Sequence, residues 1–185
     1  MRTSAMIILC FALLAAAVAV PASAIVANGT VTGAPALLTA SGVGSPTFGL
    51  TLNGLDQTTS YALPVSVVDA RGLAAGGGWN LTITSTQFND GAGHTFPTAA
   101  SMMTGVVPTC GAGSTCTFPT NVVANTTLTI PAAAVAPAAV KYESAATATG
   151  LGTNTITATI QVTVPANVFA GTYTSTVTVA ITAGP

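Results

Sequence analysis

Residues 155–164 read Thr-Ile-Thr-Ala-Thr-Ile-Gln-Val-Thr-Val, and the fold class follows from this stretch. Ile156, Ala158, Ile160, Val162 and Val164 alternate without a slip against Thr155, Thr157, Thr159, Gln161 and Thr163. Successive side chains of a strand point to opposite faces, so the pattern predicts a strand with one buried face and one hydroxyl-covered face. β-Branched residues on both faces support it, because they fit a pleated surface and crowd a helix. The same period recurs outward from this stretch. Phe48, Leu50 and Leu52 alternate with Thr47, Gly49 and Thr51, and Tyr61, Leu63, Val65 and Val67 with Ala62, Pro64, Ser66 and Val68. Trp79, Leu81 and Ile83 oppose Asn80, Thr82 and Thr84, while Tyr173, Val177, Val179 and Ile181 oppose Thr172, Thr174, Thr176 and Thr178.

Turn chemistry separates these runs: Asn53-Gly54, Gly76-Gly77-Gly78, residues 89–93, 111–114, 150–154 and 167–171. No segment carries a long helical period. Residues 132–140 are rich in alanine, but Pro131 and Pro137 limit them to a turn. Many short strands between frequent turns predict an all-β chain, an antiparallel β-sandwich of Ig-like or jelly-roll-like form rather than a barrel.

The N-terminus predicts export. Arg2 precedes an unbroken apolar run from Met6 to Val20, and Ala22-Ser23-Ala24 supplies the small residues a signal peptidase needs. A signal peptide over residues 1–24 is expected, with Cys10 leaving in it, followed by one domain over 25–185. A domain of that size buries roughly two-thirds of its unfolded surface. No mature segment is continuously apolar for the ~20 residues of a membrane span. The last residues, Ala183-Gly184-Pro185, carry no apolar tail and no Leu-Pro-x-Thr-Gly sorting signal, so attachment to a cell is expected to be non-covalent.

Composition removes several function classes. Beyond the signal, Arg71 and Lys141 stand against Asp56, Asp69, Asp90 and Glu143, too little charge to steer nucleic acid or to grip an anionic membrane. Cys110 and Cys116, separated by a Gly/Ser/Thr loop, are expected to form a disulfide in an oxidising compartment. One histidine beside two thiols falls short of a zinc site, so neither metal nor cofactor is expected. His94 and Asp90 can meet in the loop 89–94, but no nucleophile elbow or oxyanion motif accompanies them. That loop reads as a solvated turn, and the chain as non-enzymatic.

Three stretches stand out, one of them the terminal strand from Gly171-Thr172-Tyr173 through Pro185. Val67-Val68-Asp69-Ala70-Arg71-Gly72 holds one of the two mature cations beside a carboxylate, and Gly78-Trp79-Asn80-Leu81 holds the single tryptophan. Together with the C-terminal stretch 164–185 (VPANVFAGTYTSTVTVAITAGP), they resemble the WxL-domain family of Gram-positive surface proteins, which associate non-covalently with peptidoglycan. Asp69-Ala70-Arg71-Gly72 resembles the family's Asp-x-Arg-Gly stretch, and Trp79-Asn80-Leu81 its first Trp-x-Leu. Where the family usually carries a second Trp-x-Leu, this sequence has Val179-Ala180-Ile181, whose outer two residues still share a strand face.

The resemblance implies a secreted, wall-associated domain that binds peptidoglycan or a wall polysaccharide. Trp79, Asn80, Asp69 and Arg71 are the candidate ligand contacts. For Trp79 the competing role is a core plug, since Leu81 and Ile83 share its face. For Asp69 and Arg71 it is an ion pair fixing a strand end. A rival function is a structural subunit that self-associates into a surface filament or layer by strand pairing, and a third is binding to another surface protein.

Overall fold

The computed structural model describes residues 29–34, 37–72, 77–120 and 128–184. The expected signal peptide lies outside them, as do Gly76 and the first residues of the expected domain. Nine strands form among the described residues: β1 (Leu38–Gly42), β2 (Gln57–Asp69), β3 (Trp79–Thr86), β4 (Ser101–Cys110), β5 (Leu128–Thr129), β6 (Ala132–Ala133), β7 (Val140–Ala145), β8 (Gly152–Val164) and β9 (Val177–Ala183). One sheet runs β1-β2-β8-β4-β5, and the other places β3 between β9 on one side and β7 and β6 on the other.

The stretch that decides the fold class lies at the centre. β8 pairs along its length with β2, from Gln57↔Val164 to Asp69↔Gly152, and on its other side with β4. Ile156, Ala158, Ile160 and Val162 face inward with no exposure at all. They meet Trp79, Leu81 and Ile83 of β3 in one core that also takes Leu63, Val65 and Val67 from β2. Fully burying a side chain of the Val, Leu or Ile class stabilises by about 1.5–3 kcal/mol, so the facing rows of β2, β8 and β3 carry the sandwich.

Three local features depart from plain alternation. β4 bulges between Met103 and Gly105, so its inward residues run Ser101, Met103 and then Val106 rather than every second residue. β7 bulges opposite Leu81 and Thr82, which leaves Tyr142 as the extra residue. Residues 47–52 form no ladder. Their predicted face is real, because Phe48, Leu50 and Leu52 pack on the core while their neighbours are exposed. Alternation specifies an extended chain with one apolar side; it does not supply a strand to pair with.

The alanine-rich stretch contributes β6, which pairs in parallel with Ser85 and Thr86, so this sheet is mixed rather than purely antiparallel. Strand edges are shielded in part. β1 and β9, at the margins of the two sheets, lie in contact with each other. Pro64 ends the β1–β2 ladder, because its carbonyl accepts from Val43 on the β1 side and it has no N–H to return.

Candidate functional site

At one end of the sandwich sit the residues singled out in the sequence. Asp69, the last residue of β2, is 1% exposed, and Arg71 is 7% exposed. Arg71 Nε donates to Asp69 Oδ1 at 2.9 Å and Nη2 to Oδ2 at 2.7 Å, a two-pronged pair. The same Nη2 donates to the carbonyl of Gly78 at 2.8 Å, and the Arg71 amide donates to Asp69 Oδ1. The pair therefore ties the end of β2 to the residue just before Trp79.

Trp79 has no exposed surface, and its Nε1 donates to the carbonyl of Gly150 at 3.1 Å. Two glycines make this fit possible. At Gly150 (φ +67°) a Cβ would lie 2.6 Å from Trp79 Nε1, and at Gly78 (φ +75°) it would lie 2.2 Å from the carbonyl of Ala145. Both positions need a positive φ and no side chain. Gly150 lies directly against the indole edge, and Gly78 lets the chain just before Trp79 pass close to the Ala145 carbonyl.

The turn that carries Gly150 is itself held by the disulfide loop. Cys110 and Cys116 are bonded. Between and beyond them, Gly111 N donates to Thr153 O, Thr153 N to Ser114 Oγ, Thr117 N to Leu151 O and Gly150 N to Phe118 O. Asn80 is part-buried on the opposite side of β3 from Trp79. Its Nδ2 donates to the carbonyl of Gly184, and its buried Oδ1 has no hydrogen-bond partner among the described residues. Glu143 of β7, opposite Leu81, is also buried, and burial pushes its carboxyl up to about 7 although the Ser144 amide donates to it.

The other end of β3 differs in kind. A cleft of about 430 Å³ opens between the loop after β3 and the segment between β8 and β9, lined among others by Gln87, His94, Phe96, Asn167, Phe169 and Tyr173. His94 stacks on Phe169 with ring centroids 3.9 Å apart and planes 24° from parallel. Behind them Tyr173 packs on Phe96 at 4.3 Å, and a chain of ring contacts continues through Phe88 and Phe48 to Tyr61. Tyr173 Oη donates to the carbonyl of Phe169 at 3.1 Å.

Asp90 and His94, expected to form a solvated turn, do more than that. Asp90 Oδ1 accepts from the amides of Ala92 and His94, and Oδ2 lies 2.5 Å from His94 Nδ1. Desolvation raises the Asp90 carboxyl, but the hydrogen bonds from the His94 ring and from these two amides outweigh it and hold it below its ordinary value. A carboxylate only accepts, so His94 Nδ1 carries the proton. No serine or threonine hydroxyl bonds to His94 among the described residues. The notable residues here, Phe169 and Tyr173, lay in a segment whose sequence signal was a turn and an alternation. What marked them was an aromatic residue inside that turn, in a chain with only ten aromatics.

No helix among the described residues is long and apolar enough to cross a membrane. No curated protein and no solved structure matches the chain. The family model of the WxL domain, described as surface cell wall-binding, matches residues 49–185. That span takes in the Asp69–Arg71 pair, Trp79, the disulfide and the aromatic cleft, and it describes a binding family, not an enzyme family. The chain belongs to the WxL-domain family of cell-wall-binding surface proteins.

Proposed function

We propose that this domain attaches to the bacterial cell wall from outside the cell by binding peptidoglycan or an associated polysaccharide, without a covalent bond. The observation that carries this reading is the family match over residues 49–185. The chemistry of the chain agrees with it. With two cations and four acids beyond residue 24, attachment has to rest on hydrogen bonds and aromatic contact rather than on charge. Trp79, Asp69 and Arg71 serve this attachment from behind, by fixing the strand ends that carry the surface. Asn80 is the one of the four that keeps partial exposure. A filament built by strand pairing is less favoured, because β1 and β9 cover each other's margins.

Sedimentation of the mature protein with purified sacculi tests the proposal. At 1 M salt the screening length is about 3 Å, so the bound fraction should change little between low and molar salt. Steep loss of binding with salt contradicts the uncharged mode. Ordered polymers in the absence of sacculi, with no pelleting of the monomer on them, would support the filament instead.

A further inference from the structure

We propose that the cleft between His94, Phe169 and Tyr173 is the domain's saccharide subsite, and that it takes the apolar face of a neutral N-acetylhexosamine ring. The inference rests on the wall-binding reading and adds the place and the chemistry. Phe169 is 63% exposed, and it is also held. The His94 ring backs it, Asp90 fixes that ring, and Tyr173 bonds its carbonyl. An aromatic face that is exposed and also oriented loses little freedom when a flat apolar partner lands on it, which is what makes such a ring a good anchor.

Polar groups line the same cleft, whose volume lies in the usual range of small-ligand sites. Gln87 donates through Nε2 to the carbonyl of Phe96, which leaves its side-chain carbonyl without a bond among the described residues. Asn167 and Thr95 line the cleft with exposed side chains. Carboxamides offer both a donor and an acceptor, the complement of an acetamido group. Because Nδ1 of His94 is committed to Asp90, Nε2 is the polar atom that the imidazole has left to offer.

The absence of charge selects the ligand. Among the described residues, no Asp, Glu, Lys or Arg lines the cleft. Asp90 sits behind His94 with an 11% exposed side chain, and Asp56 accepts from the Ala166 amide, between the lining residues Pro165 and Asn167. A phosphate-bearing polymer or a peptide carboxylate would find no cation among these residues, and the carboxylates of Asp90 and Asp56 behind them. A neutral sugar ring needs neither.

The test uses the mature chain with tetra-N-acetylchitotetraose in solution and with two kinds of sacculi, one intact and one stripped of phosphate-linked polymers. The oligosaccharide should bind, and Phe169→Ala should weaken it about tenfold, the equivalent of one lost anchor contact. Phe169→Tyr should restore it, and Phe118→Ala, an exposed phenylalanine in the disulfide-side loop, should leave it unchanged. Stripped sacculi should be bound as well as intact ones. Wild-type protein that pellets with intact sacculi while Phe169→Ala and His94→Ala pellet equally would overturn the cleft and leave the wall reading standing. Loss of binding to stripped sacculi would overturn the neutral ligand. Wild-type protein that pellets with neither would overturn the wall reading itself.

Discussion

The two ends of β3 solve opposite problems with the same residue classes. At the Trp79 end an aromatic ring and an ion pair are turned inward, a carboxamide lies on the other face of β3, and each strong donor finds a backbone carbonyl. At the other end, roughly 23 Å away along eight residues of strand, a histidine and a phenylalanine are turned outward around a cleft, with a carboxylate behind the histidine. The contrast teaches that a residue's place in a family motif and its place at a ligand are separate matters. The Trp-x-Leu stretch here is a structural lock, and the exposed aromatic chemistry gathers away from it, in the loop 89–96 and the segment 165–173.

If that contrast holds, the largest stability losses belong to the locked end. Trp79→Ala removes the largest fully buried side chain and its bond to Gly150, and should lower stability by about 3–5 kcal/mol in chemical denaturation. Arg71→Ala should approach it, at about 3–5 kcal/mol, because it leaves the Asp69 carboxylate buried without its partner. A loss below about 1 kcal/mol for either variant would mean that this end opens readily in solution.

The next effect depends on pH. Glu143 has an ordinary value of 4.5 and is pushed up to about 7 in the fold, so the folded state holds its proton more tightly than the unfolded state does. Its contribution is fully present below pH 4.5 and is lost as pH rises through about 7. The total is on the order of 3 kcal/mol. Glu143→Gln should flatten this part of a stability-against-pH curve and exceed wild type above pH 7. An unchanged curve would show that the carboxylate is solvated.

A smaller effect belongs to the disulfide. Cys110→Ser with Cys116→Ser should lower stability by about 2 kcal/mol, as expected for a short loop. Because that loop holds the Gly150 turn against Trp79, the double variant should also red-shift the indole emission. An unshifted spectrum would separate the loop from the lock.

How much of this was legible in the sequence depended on the regularity of each strand. β8, β2, β3 and β9 keep a period of two, and their inward rows match the predicted ones. β4 and β7 were not legible. Thr104 interrupts the alternation of β4 as the extra residue of a bulge, while β7 buries Tyr142, Glu143, Ser144 and Ala145 in succession. A sequence period assumes one residue against one, and a bulge places two against one. The disulfide was legible because only two cysteines lie beyond residue 24.

The candidate contacts were legible as positions but not as environments. Nothing local distinguishes a buried Asp69–Arg71 pair from an exposed one, since the burial comes from the residues that fold over it. The cleft was hidden for the same reason. His94 and Phe169 are 75 positions apart, and only the pairing of β3 with β9, together with the Asn89–Thr174 bridge, brings their loops side by side.

The most direct measurement is an amide chemical-shift map of the labelled mature domain during titration with tetra-N-acetylchitotetraose. Shifts should be confined to the segments around His94 and Phe169, with residues 78–81 and 150 unmoved. Shifts centred on Trp79 and Asn80, with residues 94–96 and 167–173 silent, would contradict it.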